Sequence, residues 1–129
     1  MDAARLRSIP LFASLSEREL EKVARYADEI DIAPGKHLMD QGRLGYEFFV
    51  IEEGTAEVTR DGEALRTLGP GDFFGEIALL ETDRRTATVV AASPMLLIVM
   101  HARDFRRLTE DQPDVASKIR WAISERPLR

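Results

Sequence analysis

The chain has 129 residues, 44% of them hydrophobic and 32% charged, with a formal net charge of −5. That length is one domain able to bury most of its unfolded surface. The absence of cysteine excludes disulfides and thiolate metal sites, and the acidic balance argues against broad nucleic-acid binding, which needs a basic face. No apolar run reaches the length of a membrane helix, and the N-terminus carries no signal-peptide core, so a cytoplasmic protein without membrane insertion is expected.

Helices are predicted first. "RLRSIPLFASL" reads as a short helix or turn. "SLSERELEKVARYADEI" follows, with Ser16 and Glu19 at capping-box spacing and Leu15 and Leu20 at the staple positions. Leu20, Val23, Ala24 and Ala27 repeat at helical period and form its apolar face. From Glu29 the texture changes to short alternating runs. Pro34-Gly35, Gly54, Asp61-Gly62 and Gly69-Pro70-Gly71 punctuate them, and Asp61-Gly62 is a two-residue hairpin signal. "TATVVAA" and "MLLIVMH", divided by Ser93-Pro94, complete the set of short strands, which reads as an antiparallel sandwich or barrel. Two helices close the chain. The first is about two turns from Ala102. The second starts at Pro113 with an apolar face of Val115, Ile119, Ala122 and Ile123. The expected division is N-terminal helices 1–28, a β-roll 29–101 and C-terminal helices 102–126.

"GEIALLETDRRTATV", residues 75–89, is the chemically unusual stretch. A short helix over its apolar middle, Ile77 to Leu80, would present free amides near Gly75 to Ala78, and these favour an anion. Arg85 can add a bidentate charge-assisted contact to the same anion. Glu76 would repel an anion but can accept hydrogen bonds from hydroxyls beside it. The pattern asks for a ligand with one phosphate and one sugar hydroxyl. Contacts to a charged group contribute about 1.5–3 kcal/mol each. Two or three of them supply much of the roughly 8 kcal/mol of a micromolar site.

"PGDFFGEIALLETDRRTATVVA", residues 70–91, resembles the phosphate-binding cassette of cyclic nucleotide-binding domains: F-G-E, an aliphatic residue, A-L-L, a short spacer, then R, a small residue and A-T-V. "IPLFASLSERELEKVA" and "IAPGKHLMDQGRLGYEFFVIEEGTAEV" are similar to the family's N-terminal helices and first strands, so the resemblance covers nearly the whole chain. It implies a mostly β fold, a double-stranded β-helix or jelly-roll-like barrel with N-terminal helices and two C-terminal helices, that cradles cAMP or cGMP. The carry-over gives Glu76 to the ribose 2′-hydroxyl, backbone contacts to Gly75, Ile77 and Ala78, the cyclic phosphate to Arg85, and phosphate or base to Thr86. Arg84, one residue out of register, is expected to be solvated. Base contacts are expected from the final helix, with Arg120, Trp121 and Ser124 as the candidates.

The expected function is a non-catalytic sensor or regulatory module, cAMP favoured over cGMP, with no cofactor beyond that ligand. Its C-terminal helices would carry the signal to a second copy or to an attached effector domain. In regulators of this family a helix-turn-helix domain would follow, but this sequence stops at Arg129, which suits a stand-alone sensor or an excised domain. One alternative is a degenerate domain of the same fold that serves as an interaction module without ligand. A metal-binding cupin enzyme is disfavoured because His37 and His101 form no closely spaced pair. "RDFRRL" reads as a solvated helix face. One position departs from the pattern: Tyr46 stands where relatives often carry an aspartate that positions the phosphate-binding arginine, and neighbouring Glu47 would point to the opposite face of a strand.

Overall fold

The computed structural model describes residues 1–76 and 84–125. The expected short helix at 77–80, and with it Ile77 and Ala78, lies outside the described residues.

Two 3-10 turns, Ala3–Arg5 and Pro10–Phe12, precede helix α1, Glu17–Ala24. The capping box is formed in both directions: Ser16 Oγ accepts from the Glu19 amide, and Glu19 Oε1 accepts from the Ser16 amide. Leu15, Leu20, Val23, Ala24 and Ala27 are all buried in one cluster. The helix is shorter than the amphipathic sequence around it. Asp28, which the expected division leaves with the N-terminal helices, already belongs to strand β1, Asp28–Ile32. The reason lies far along the chain. This segment pairs antiparallel with Met95–Val99, and that ladder outweighs local helical pattern.

The remaining strands are β2 (His37–Met39), β3 (Glu47–Glu53), β4 (Ala56–Arg60), β5 (Glu63–Leu68), β6 (Phe73–Phe74), β7 (Thr88–Ala91) and β8 (Met95–His101). They form two four-stranded antiparallel sheets, ordered β1-β8-β3-β6 and β2-β7-β4-β5. Pro34-Gly35 does not close a hairpin, because β1 and β2 fall in different sheets. Asp61-Gly62 does close one between β4 and β5, with φ of 52° and 79° at its two residues, the pairing of positive angles that matches strand twist. Helices α2 (Ala102–Asp111) and α3 (Pro113–Ser124) follow β8 directly.

Two cores result, and β3 and β8 serve both. Phe49, Ile51, Leu97 and Val99 fill the space between the sheets with Val58, Leu68 and Val89. Phe48, Val50, Ile98 and Met100 point the other way, toward α1, α2 and α3, where Leu20, Phe105, Leu108 and Ile119 cover them. This is why "FFVI" and "LLIVM" are unbroken apolar runs: both faces of each strand are buried. The solvent-facing edge strand β5 keeps the polar sequence EALRTL.

Candidate functional site: an arginine cradle at the edge of the β-roll

Segment 84–86, just before β7, is pinned by the loop that leads into β3. The Arg85 amide donates to the Arg43 carbonyl at 2.7 Å, and the Gly42 amide donates to the Arg85 carbonyl at 2.9 Å. Leu44 and Arg84 form an isolated antiparallel bridge beside these bonds. Gln41 donates its amide to Thr88 Oγ1, and its side chain exchanges two hydrogen bonds with Asp61, whose amide donates to Gln41 Oε1 while Gln41 Nε2 donates to Asp61 Oδ1. The loop 41–45 is thus laced to β7 on one side and to the β4–β5 hairpin on the other. Arg60 Nε adds a bond to the Thr86 carbonyl at 3.1 Å.

This backbone frame directs the Arg85 side chain inward, where 9% of the residue remains exposed. The guanidinium donates to two carbonyl oxygens, Nη2 to Glu47 at 2.8 Å and Nη1 to Gly75 at 3.3 Å. Two glycines make room for it. A Cβ at Gly45 would fall 2.1 Å from Arg85 Nε and 2.2 Å from Cζ. A Cβ at Gly75 would meet the Glu47 carbonyl at 2.7 Å and Arg85 Nη1 at 2.8 Å, and Gly75 also has φ of +78°, a conformation that favours glycine. Gly45 and Gly75 are therefore the walls of a slot for one side chain.

Burial lowers the proton affinity of Arg85, while the nearby charges of Glu47 and Glu76 act in the opposite direction. The guanidinium stays charged because its intrinsic proton affinity is so high. Among the described residues no carboxylate lies within 4.0 Å of it. A buried cation satisfied by neutral carbonyls is an electrostatic invitation to an anion.

The structure brings together Gly75, Glu76 and Arg85 of the expected site. Glu76 is partly buried and close enough for its charge to act on Arg85. Thr86 is exposed at the end of the same segment, with its carbonyl held by Arg60. Arg84 points away and donates to the Gly42 carbonyl at 2.7 Å. Tyr46 is 53% exposed. The place of a carboxylate partner is taken by the main chain: Arg85 is held through the Glu47 carbonyl.

The final-helix candidates lie on α3. Arg120 is turned back onto α2, with its guanidinium 5.0 Å from the centre of the Phe105 ring and donating to Thr109 Oγ1 at 3.0 Å. Ser124 donates to the Trp121 carbonyl, and Trp121 is 67% exposed. The sequence reading missed Gly45, the Glu47 carbonyl and Arg60. A glycine two residues before an apolar strand was the available signal for Gly45, but what needs the space lies forty positions away.

Comparison with known proteins shows the family of the chain. The family model described as "Cyclic nucleotide-binding domain" matches residues 29–112. The chain is 39% identical over 121 residues to cGMP-dependent protein kinase, isozyme 1, of Drosophila melanogaster, covering 88% of this chain and 16% of that protein. It is 35% identical to the cAMP-dependent protein kinase regulatory subunit of Yarrowia lipolytica, over 80% of this chain and 28% of the relative. Among solved structures it superimposes on the Thermus thermophilus catabolite activator protein with a TM-score of 0.78 and 29% identity, over 89% of this chain and 56% of that one. The regulatory domain of Toxoplasma gondii protein kinase A, crystallised with cAMP, gives 0.78 and 26%, over 96% of this chain and 49% of that one. The chain spans a third or less of the length of these curated relatives. It belongs to the cyclic nucleotide-binding domain family.

Proposed function

We propose that this regulatory domain binds a cyclic nucleotide in the cradle around Arg85, with cAMP preferred over cGMP. Arg85 pairs with the cyclic phosphate, Glu76 accepts from the ribose 2′-hydroxyl, and Gly75, Ile77 and Ala78 line the ligand with backbone. Thr86 reaches phosphate or base. The carrying observation is the Arg85 guanidinium, buried on two carbonyls with no carboxylate within 4.0 Å among the described residues. The ligand supplies the missing charge. The preference for cAMP rests on the solved regulatory domain that holds it and matches nearly all of this chain.

The domain needs no catalytic group or cofactor for this role. Its output is conformational: the ligand shifts an existing equilibrium by its unequal affinity for two arrangements. Helices α1, α2 and α3 are cross-linked by Lys118 to Glu19, Tyr26 to Asp111 and Arg120 to Thr109, which favours their moving as one unit against the β-roll. Trp121 is exposed on that unit and is the first candidate to cover the purine, with Arg120 and Ser124 as lesser ones. The receiver is an attached effector domain or a second copy, in a cytoplasmic setting. No helix among the described residues is long and apolar enough to cross a membrane.

Calorimetric titration of cAMP and cGMP into the purified domain, with oligomeric state recorded before and after, tests the reading. Micromolar or tighter binding, stronger for cAMP, is the expected result. The second reading, a ligand-free interaction domain, is favoured by Tyr46 at the place of the usual aspartate. It takes over when neither nucleotide raises the melting temperature at millimolar concentration.

A further inference from the structure

On the opposite face of the β1-β8-β3-β6 sheet from the inter-sheet core, two carboxyl groups meet. Glu29 on β1 stands opposite Ile98 of β8. Glu52 on β3 sits in a bulge: Ile51 pairs with Leu97 and Glu53 with Leu96, so Glu52 has no partner of its own on β8. A bulge bends a strand and re-aims the extra side chain. Here it brings the Glu52 carboxyl onto that of Glu29 across β8. Oε2 of Glu29 and Oε2 of Glu52 are both buried, and neither accepts a hydrogen bond. The charged groups facing the pair are Arg5 of the first 3-10 turn, whose Nε is 3.7 Å from Glu29 Oε2, and the Glu53 carboxylate next along β3.

Two carboxylates with buried, donor-less oxygens are a costly arrangement, because each loses water and each repels the other. One proton removes both costs. A protonated carboxyl donates to its neighbour, so a single O–H satisfies the pair, and the remaining negative charge is balanced by Arg5. We propose that Glu29 and Glu52 share one proton across β8, with Arg5 as counter-charge, and that this triad is a pH-sensitive clasp between β1, β3 and the N-terminal turn. The clasp owes nothing to nucleotide binding, so it stands or falls separately from the cradle around Arg85.

Burial, the bond to Glu29 and the neighbouring charges of Glu29 and Glu53 raise Glu52 from 4.5 to about 7, against a smaller opposing effect of Arg5. A carboxyl whose folded pKa lies above its unfolded value binds its proton more tightly in the folded state. Its stabilisation is full below the unfolded value and is lost as pH rises through the folded one. The clasp therefore closes on the acid side of neutrality and opens on the alkaline side, opposite to an ordinary ion-paired carboxylate. Glu19 does not confuse the window. Its pKa is lowered, first by the Ser16 amide and then by Lys118, so its stabilisation is lost only as pH falls below 4.5.

The test is carboxyl-carbon NMR of the intact domain across pH, assigned with Glu52→Gln and Glu29→Gln. Thermal stability of wild type and both variants is measured at about pH 5.5 and about pH 8.5. One wild-type glutamate is expected to titrate near neutrality. The melting temperature of wild type should fall between the two pH values by more than that of Glu52→Gln, whose amide holds the protonated hydrogen-bond pattern at all pH. Arg5→Ala should move the neutral titration upward. The proposal is overturned when every glutamate carboxyl of wild type titrates below about pH 5. It is also overturned when Glu52→Gln loses as much stability as wild type over the same interval.

Discussion

The two buried charge sites of this domain solve the same problem in opposite ways. Arg85 is buried as a residue, and the Glu29–Glu52 pair hides one oxygen of each carboxyl from water. A carboxyl can escape the cost by keeping its proton, and the pair does so. A guanidinium cannot give up its proton in a protein, so Arg85 must be solvated by something else. Among the described residues the chain supplies two carbonyls and no carboxylate within 4.0 Å, with Glu47 and Glu76 acting from further off. One site is internally complete at a suitable pH. The other holds a charge that an anion would complete. Folding alone therefore explains the carboxyl pair, whereas Arg85 makes sense as part of a binding site.

The largest expected effect comes from removing the incomplete charge. Arg85→Leu should weaken cyclic nucleotide binding by about 2–5 kcal/mol, the cost of deleting one half of a buried charge pair, or about 30- to 4,000-fold. Calorimetry on wild type and variant measures it. An unchanged dissociation constant would sink the assignment of Arg85.

Gly45→Ala is expected next. The Gly45 backbone does not have the positive φ that would strain an alanine, so the whole cost comes from the 2.1 Å approach to Arg85 Nε. The guanidinium must leave its slot, at about 1–3 kcal/mol, a 5- to 150-fold loss of affinity. A double-mutant cycle separates this from a general packing defect. The same Gly45→Ala change made in an Arg85→Ala background should cost almost nothing, because the side chain it displaces is gone. Equal losses in both backgrounds would mean that Gly45 does not act through Arg85.

Much of this arrangement is legible in the chain itself, and the illegible parts share one cause. The capping box at Ser16 and Glu19, the Asp61-Gly62 hairpin and the apolar face of α3 are local patterns, fixed within a few residues, and each forms as read. The cassette at 70–91 is a contiguous string, so Gly75, Glu76 and Arg85 could be named from it, and the structure gathers these three together. The rest depends on partners distant in sequence. Asp28 looks like the end of the helical segment until it pairs with Val99 of β8. Gly45 looks like an ordinary loop glycine until Arg85 lies across it. Glu29 and Glu52 look like two surface carboxylates until a bulge in β3 turns one toward the other. Tyr46 is the instructive case. From sequence its departure from the family pattern left Arg85 without a holder. The holder is the main-chain carbonyl of the next residue, which side-chain identity does not reveal.

The smallest effect is expected at the neighbouring arginine, and it sharpens the contrast most. Arg84 and Arg85 are adjacent and carry the same charge, so any ligand held by diffuse positive potential would feel both. Their surroundings differ. Arg84 is exposed and reaches the Gly42 carbonyl across the surface of the loop, while Arg85 is buried between two glycines. An exposed charge is screened by water and salt and contributes about 0–1 kcal/mol, so Arg84→Ala should change affinity by less than about 5-fold. Raising the salt concentration should shrink that residue of an effect further, since screening acts on exposed charges far more than on buried ones. The loss caused by Arg85→Leu should survive the same salt. If the two substitutions prove equally damaging, or fade together as salt is added, the anion is held by the surface field of the segment. The slot formed by Gly45 and Gly75 would then have no part in selecting it.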